Sequence, residues 1–212
     1  MLTLKLSRGL TLIELMVGLS IMAFLLLAGA PSLSTWIRNA QIRSAAESIM
    51  TGLHHARSEA VKRNSSTRFQ LTSTLDNTCT VSSSGQNWVI NMGSGTTPAG
   101  SCANKPSNTA PPLIVQKSVA TNSSGITIAA SPGSVVSFNG LGQQTSSTAP
   151  DTAIGTLTID VSSSSGSCLS TNSAGTTGTY RCLRILVSPA GQARMCDPAM
   201  GITSNSNQPT AC

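Results

Sequence analysis

The sequence predicts an α+β protein, with a long N-terminal helix and antiparallel sheets folded over it. Three observations carry this. An apolar run from Leu10 to Ala30 is followed by helical spacing as far as Arg63. After Ser66 the apolar period falls to two, and short alternating runs succeed one another with no helical stretch between them. Six cysteines are scattered through that second part, which suits an oxidising compartment better than a reducing cytoplasm.

Of the 212 residues, 9% are charged, 3% are aromatic and 59 are Ser or Thr. Ordinary soluble domains carry roughly 25% charged residues. Low charge with a 39% apolar fraction excludes a disordered polyelectrolyte. The two histidines, His54 and His55, are adjacent and leave little material for acid–base chemistry. No G-x-S-x-G, H-E-x-x-H or phosphate-binding glycine loop is present. An enzyme is therefore not expected, and neither catalytic residues nor a cofactor are assigned.

The chain opens MLTLKLSRG, with Lys5 and Arg8 and no acid. The 21 residues from Leu10 to Ala30 then contain a single ionisable group, Glu14. As a helix they measure about 31 Å, close to the hydrocarbon thickness of a bilayer. Lys5 and Arg8 should stay on the cytoplasmic side, which directs the rest of the chain outward. A secretory signal peptide would have a shorter apolar region, although Ala28-Gly29-Ala30 has the small residues of a cleavage site. A plain anchor leaves Glu14 unexplained, because an unpaired acid in lipid costs at least about 2.5 kcal/mol.

Arg8-Gly9-Leu10-Thr11-Leu12-Ile13-Glu14-Leu15 resembles the prepilin cleavage motif of type IV pilins and type II secretion pseudopilins. The resemblance implies that a prepilin peptidase cuts between Gly9 and Leu10 and methylates the new N-terminus at Leu10. It makes Glu14 the fifth residue of the mature chain, a glutamate in that family. The family usually has Phe after the cut, where this chain has Leu10. Pro31 falls where many pilins have a proline just past the apolar run. Physically, cleavage creates a cationic amine at Leu10. A neighbouring subunit's Glu14 can pair with it in the membrane, cancelling two desolvation penalties and favouring an axial stagger.

From Trp36 to Arg63, Ile42, Ala45, Ile49, Leu53, Ala56 and Ala60 form a helical stripe. Arg43/Glu47 and Glu59/Arg63 are i,i+4 pairs. Asn64 can end the helix in a left-handed cap. One helix is expected from Leu10 to Arg63, interrupted near Pro31, which lacks a backbone donor. Neighbouring helical residues such as His54 and His55 point about 100° apart and cannot chelate one ion together, so no metal site is expected.

Strands are expected at Arg68–Leu71, Trp88–Met92, Leu113–Val115, Gly125–Ala129, Val135–Phe138, Leu157–Val161 and Cys182–Val187. Ser94–Pro112 and Ser162–Ser173 read as long polar loops. Three further stretches sharpen the resemblance to the GspH/FimT (FimU-like) group of minor pilins and pseudopilins. They are the helix end Ala56–Asn64, the Trp-containing Asn87–Ile90, and Ser137-Phe138-Asn139-Gly140-Leu141-Gly142 with its Phe-x-x-x-Gly turn. Leu183–Cys196 resembles that group's terminal hairpin, and the resemblance implies a type IV pilin fold, with the long helix packed on an antiparallel β-sandwich-like head.

The cysteines are Cys79, Cys102, Cys168, Cys182, Cys196 and Cys212. None is spaced as C-x-x-C, which disfavours a zinc ribbon or a redox pair. Pairing neighbours, Cys79–Cys102, Cys168–Cys182 and Cys196–Cys212, would close three polar loops and pin the C-terminus.

Removing Lys5 and Arg8 leaves 11 basic and 7 acidic side chains, net +4. Arg181, Arg184 and Arg194 cluster near the C-terminal hairpin, with Lys105 and Lys117 as candidate neighbours. DNA-capturing FimT-type pilins carry Gly-Arg-x-Arg in this hairpin. Here the matching stretch is Gly191-Gln192-Ala193-Arg194, which lacks the first arginine. Tyr180 is the only nearby ring for base stacking. The three arginines are candidate DNA contacts by salt-sensitive backbone attraction.

The expected organisation is a leader at 1–9, a transmembrane and filament-core helix at 10–30, an amphipathic helix at 31–64 and a disulfide-stapled β head at 65–212. The resemblance implies a minor pilin of a type IV pilus, in a tip or priming complex, with a GspH-like pseudopilin of a type II secretion system as one alternative. A pilus-borne DNA receptor for transformation is the second alternative. Implied partners are the prepilin peptidase, other minor and major pilins, the inner membrane and a tip adhesin. The implied location is the bacterial inner membrane, head periplasmic, before assembly and the surface filament after it.

Overall fold

The computed structural model describes residues 9, 11–93, 96–120, 124–146, 154–172, 175–200 and 212. It divides into two compact units, Met1–Ile37 and Arg38–Cys212. A single helix, α1 (Leu12–Arg63), begins in the first unit and ends in the second.

In the first unit the apolar side chains of α1 point outward: Leu12, Phe24 and Leu27 are each at least 75% exposed. No single helix among the described residues is long and apolar enough to cross a membrane. The segments Leu12–Leu27 and Ser32–Arg63 together satisfy length and composition. Pro31 lies between them, and the backbone stays helical across it. A proline removes one hydrogen bond and can bend a helix without ending it.

In the second unit the helix buries Ile42, Ala46, Ile49, Leu53, Ala56 and Ala60. The stripe is the expected one with a single correction: Ala46 is fully buried and Ala45 only partly so. The steps are then 4, 3, 4, 3 and 4, the regular alternation for a 3.6-residue turn. The wet sides carry the expected ion pairs, Arg43 Nε–Glu47 Oε1 at 2.8 Å and Arg63 Nε–Glu59 Oε2 at 2.6 Å. The hydrogen bond from Arg63 holds the Glu59 carboxyl below its ordinary range. The helix stops at Asn64, which is left-handed with φ 46°. Asn64 N–H reaches the Val61 carbonyl and Ser65 N–H the Ala60 carbonyl, a Schellman closure.

The strands are β1 (Thr67–Thr72), β2 (Asn87–Met92), β3 (Ile114–Lys117), β4 (Ile126–Ser131), β5 (Val135–Phe138), β6 (Leu157–Ser163), β7 (Ser170–Asn172), β8 (Gly175–Thr177), β9 (Leu183–Val187) and β10 (Ala193–Cys196). They form sheets of order β3-β2-β1-β5 and β10-β9-β6-β4, and the small hairpin β7-β8. All neighbours are antiparallel. The helix stripe packs with Phe69, Leu71, Trp88, Ile90 and Phe138 of the first sheet and Ile128, Ile159, Ile185 and Val187 of the second. Gly52 lets the rings of Phe69 and Trp88 approach the helix backbone; a Cβ there would lie 2.7 Å from Phe69 and 2.8 Å from Trp88.

Three details depart from the sequence reading. Leu113 is left-handed, with φ 57°, so the third strand starts one residue later. The expected loop Ser162–Ser173 contains the end of β6 and all of β7. Arg68-Phe69-Gln70-Leu71 alternates polar with apolar, and β1 is nevertheless buried on both faces. Arg68 donates to the Thr96 carbonyl. Gln70 Nε2 donates to Asn91 Oδ1 at 2.6 Å, and Asn91 Nδ2 to Thr96 Oγ1 at 2.6 Å. The same side of the first sheet holds a second small core of Cys79, Val89, Cys102 and Ile114.

Disulfides join Cys79 to Cys102, Cys168 to Cys182 and Cys196 to Cys212. Each links cysteines adjacent in sequence, and no cysteine is free.

Candidate functional site

Gly9 is exposed, while Leu10, the expected cleavage and methylation residue, lies outside the described residues, as do Lys5 and Arg8. The start of α1 is built by Thr11 and Glu14. The Thr11 N–H and hydroxyl donate to Glu14 Oε2 at 2.9 and 2.8 Å. The Glu14 N–H returns a bond to Thr11 Oγ1 at 3.3 Å. This reciprocal pair is a capping box, which satisfies backbone donors that the first helical turn leaves open. Thr-x-x-Glu ahead of an apolar run is its sequence signature, and the sequence reading passed over it. Glu14 therefore has hydrogen-bond partners within its own chain.

The arginines of the second unit divide by partner. Arg184 on β9 faces Asp160 on β6 across the ladder. Their fork is bidentate, Nε–Oδ1 2.6 Å and Nη2–Oδ2 2.9 Å, and it raises the guanidinium pKa. Arg181 Nε lies 3.0 Å from Asp197 Oδ2, a nearly buried carboxylate. The Arg181 backbone N–H donates to Asn39 Oδ1 at 2.9 Å, tying this turn to the helix. Arg194 on β10 is exposed and makes no ion pair among the described residues. Cys196 pairs with Arg184, so Arg194, two residues earlier, shares the outer face with Arg184. Lys117 Nζ donates to the carbonyls of Cys102, Ala103 and Asn104 at 2.9–3.3 Å, and Lys105 is exposed. The anticipated basic cluster is thus largely neutralised by Asp160, Asp197 and backbone carbonyls, with Arg194 left facing solvent.

His54 and His55 are both exposed on the helix. Among the described residues no three His, Cys, Asp or Glu side chains are grouped to hold a metal ion. The Phe138–Gly142 turn contacts the helix end: Arg57 Nε donates to the Gly142 carbonyl at 3.0 Å. Gly191, with φ 76°, lets the β9–β10 turn touch the same Gly142 carbonyl, where a Cβ would stand only 1.9 Å away.

An apolar N-terminal helix opened by a capped acid, and a head whose two antiparallel sheets pack with one face of the helix's second half, define a pilin-like subunit. Comparison with known families agrees. The prokaryotic N-terminal methylation motif matches residues 4–30. The profile of the type II transport protein GspH matches residues 45–191, most of the chain. The chain belongs to the GspH family of minor pilins and pseudopilins. Among solved structures it is similar to the type IV minor pilin FimU of Pseudomonas aeruginosa in two crystal forms. The first is 18% identical, covering 74% of this chain and 88% of that one with a TM-score of 0.44. The second is 15% identical, covering 72% and 90% with a TM-score of 0.41. A search of curated protein sequences found no match. Family membership gives the chain a general role in pilus or pseudopilus assembly and makes it a structural subunit rather than an enzyme.

Proposed function

We propose that the chain is a minor pilin of a type IV pilus, built into a tip or priming complex that starts the filament. The observation that carries this is the coincidence of the methylation motif over residues 4–30 with an acid, Glu14, five positions into the chain that begins at Leu10. In this reading residues 1–9 are a leader removed by a prepilin peptidase, and Leu10 becomes the methylated N-terminus. The run 10–30 holds the subunit in the inner membrane with the head, 65–212, on the periplasmic side. On assembly the amine at Leu10 of one subunit takes over Glu14 of its neighbour from Thr11. The exchange replaces a neutral donor by a cation, and a charge-assisted bond is roughly twice as strong as a neutral one. Other pilins, minor and major, are the immediate partners, and a tip adhesin is the distal one.

Mass spectrometry of the native polypeptide tests the processing: it should begin with N-methylated Leu10, and any other start defeats the assignment. Glu14→Ala should insert and be cleaved normally yet be missing from sheared filaments. Normal incorporation would remove the proposed role of Glu14.

The match to a type II transport protein favours a second reading, a minor pseudopilin of a secretion system. Deleting the gene separates the two. A fall in surface pili with normal protein secretion supports the pilus; the opposite result supports the secretion machine.

A further inference from the structure

We propose that Leu33, Trp36 and Ile37 form an interfacial anchor, seating the unassembled subunit in the outer headgroup layer of the bilayer that its helix spans. The proposal rests on the reading of the N-terminal run as a membrane span. These three side chains are spaced i, i+3 and i+4, so they share one helix face. They are 57%, 68% and 44% exposed. The contrast with the other tryptophan is sharp, because Trp88 is 4% exposed and donates its indole N–H to Ser48 Oγ at 3.1 Å. A large exposed ring on an apolar helix face is a surface that something covers.

Two independent observations say what covers it. The first is charge. Between Glu14 and Arg38 no residue is ionisable, so the uncharged stretch runs from Leu15 to Ile37, seven residues past the end of the apolar run at Ala30. The second is length. From Leu10, a helix rising about 1.5 Å per residue crosses about 30 Å of hydrocarbon by position 30. The Trp36 backbone then lies about 9 Å farther on, at the outer edge of a headgroup layer of roughly 5–7 Å. Helical side chains also tilt toward the N-terminus, which brings the indole back toward the acyl boundary. That is where tryptophan is enriched, with its ring against the chains and its N–H among polar groups. Leaving the membrane for a filament would then strip lipid from Trp36.

The test uses the leader-cleaved full chain in vesicles of phosphatidylethanolamine and phosphatidylglycerol, with a fraction of the lipid brominated either near the headgroup or near the bilayer centre. Subtracting the emission of Trp36→Phe isolates Trp36 and leaves the Trp88 core intact. The expected result is Trp36 emission shifted to shorter wavelength, and quenched more strongly by the shallow bromine than by the deep one. If the chain floats with vesicles while Trp36 stays unquenched, the anchor is overturned and the span stands. If the chain does not float with vesicles, both fail. If Trp36 emission depends on subunit density and not on bromine, a second copy covers the face, and the anchor is overturned.

Discussion

At the scale of the residue, Gly52 and Glu59 carry separate and measurable consequences. Gly52 faces two rings at a distance no Cβ can share. Gly52→Ala should lower stability by about 1–3 kcal/mol through overpacking, despite alanine's better helix propensity. Urea unfolding of the full chain in detergent measures the difference. Glu59 is mostly buried beside Arg63, which holds its folded pKa below the ordinary glutamate value. A depressed folded pKa gives stability that is present above the unfolded value, about 4.3, and lost as pH falls through the folded one. Glu59→Gln should therefore cost about 0.5 kcal/mol at neutral pH. The gap to the parent should close on acidification below roughly pH 4, as paired melts across pH would reveal. Gly52 was not legible in sequence, because only the tertiary fold brings Phe69 and Trp88 against it. Glu59 was legible outright, since i,i+4 spacing and helical period suffice to pair it with Arg63.

Among the elements, the helix was the most readable and β1 the least. The stripe, the Asn64 cap and the two ion pairs follow from local rules, so local sequence contains them. Burial of Arg68 and Gln70 does not follow, because alternation tells which residues share a face and not what lies over it. What lies over it is the Thr96 segment beside the loop closed by Cys79–Cys102. The β7–β8 hairpin was missed for another reason: Ser170–Asn172 and Gly175–Thr177 carry no apolar alternation at all. The first disulfide should matter most among the staples, since both its sulfurs sit in the second core with Val89 and Ile114. Replacing Cys79 and Cys102 together by Ala should cost about 3 kcal/mol from loop closure alone. Comparing thermal melts of the double variant with the oxidised parent checks this. An unchanged midpoint would mean that the covering loops hold themselves.

For the whole molecule, charge gives the next test. Arg184 and Arg181 are engaged with Asp160 and Asp197, which leaves Arg194 as the exposed candidate for DNA backbone contact. A gel shift of the head at low salt should be weak and should vanish on raising the salt. Arg194→Ala should abolish it, whereas Arg184→Ala should change it less, because that side chain is already committed. A shift unaffected by Arg194→Ala removes the DNA reading. The N-terminal methylation motif could be read at this scale from a few residues, because a lone acid in an apolar run is chemically conspicuous. The arginine partners could not, since Asp160 lies 24 residues before Arg184 in sequence and only the ladder register brings them together. One feature of the cross-linking bears on how such a subunit withstands load. All three disulfides bridge segments beyond residue 78, and none reaches α1. A pull applied to α1 therefore meets no disulfide, and reaches the sheets through the buried side chains from Ile42 to Ala60 and the one stretch of backbone that follows Arg63.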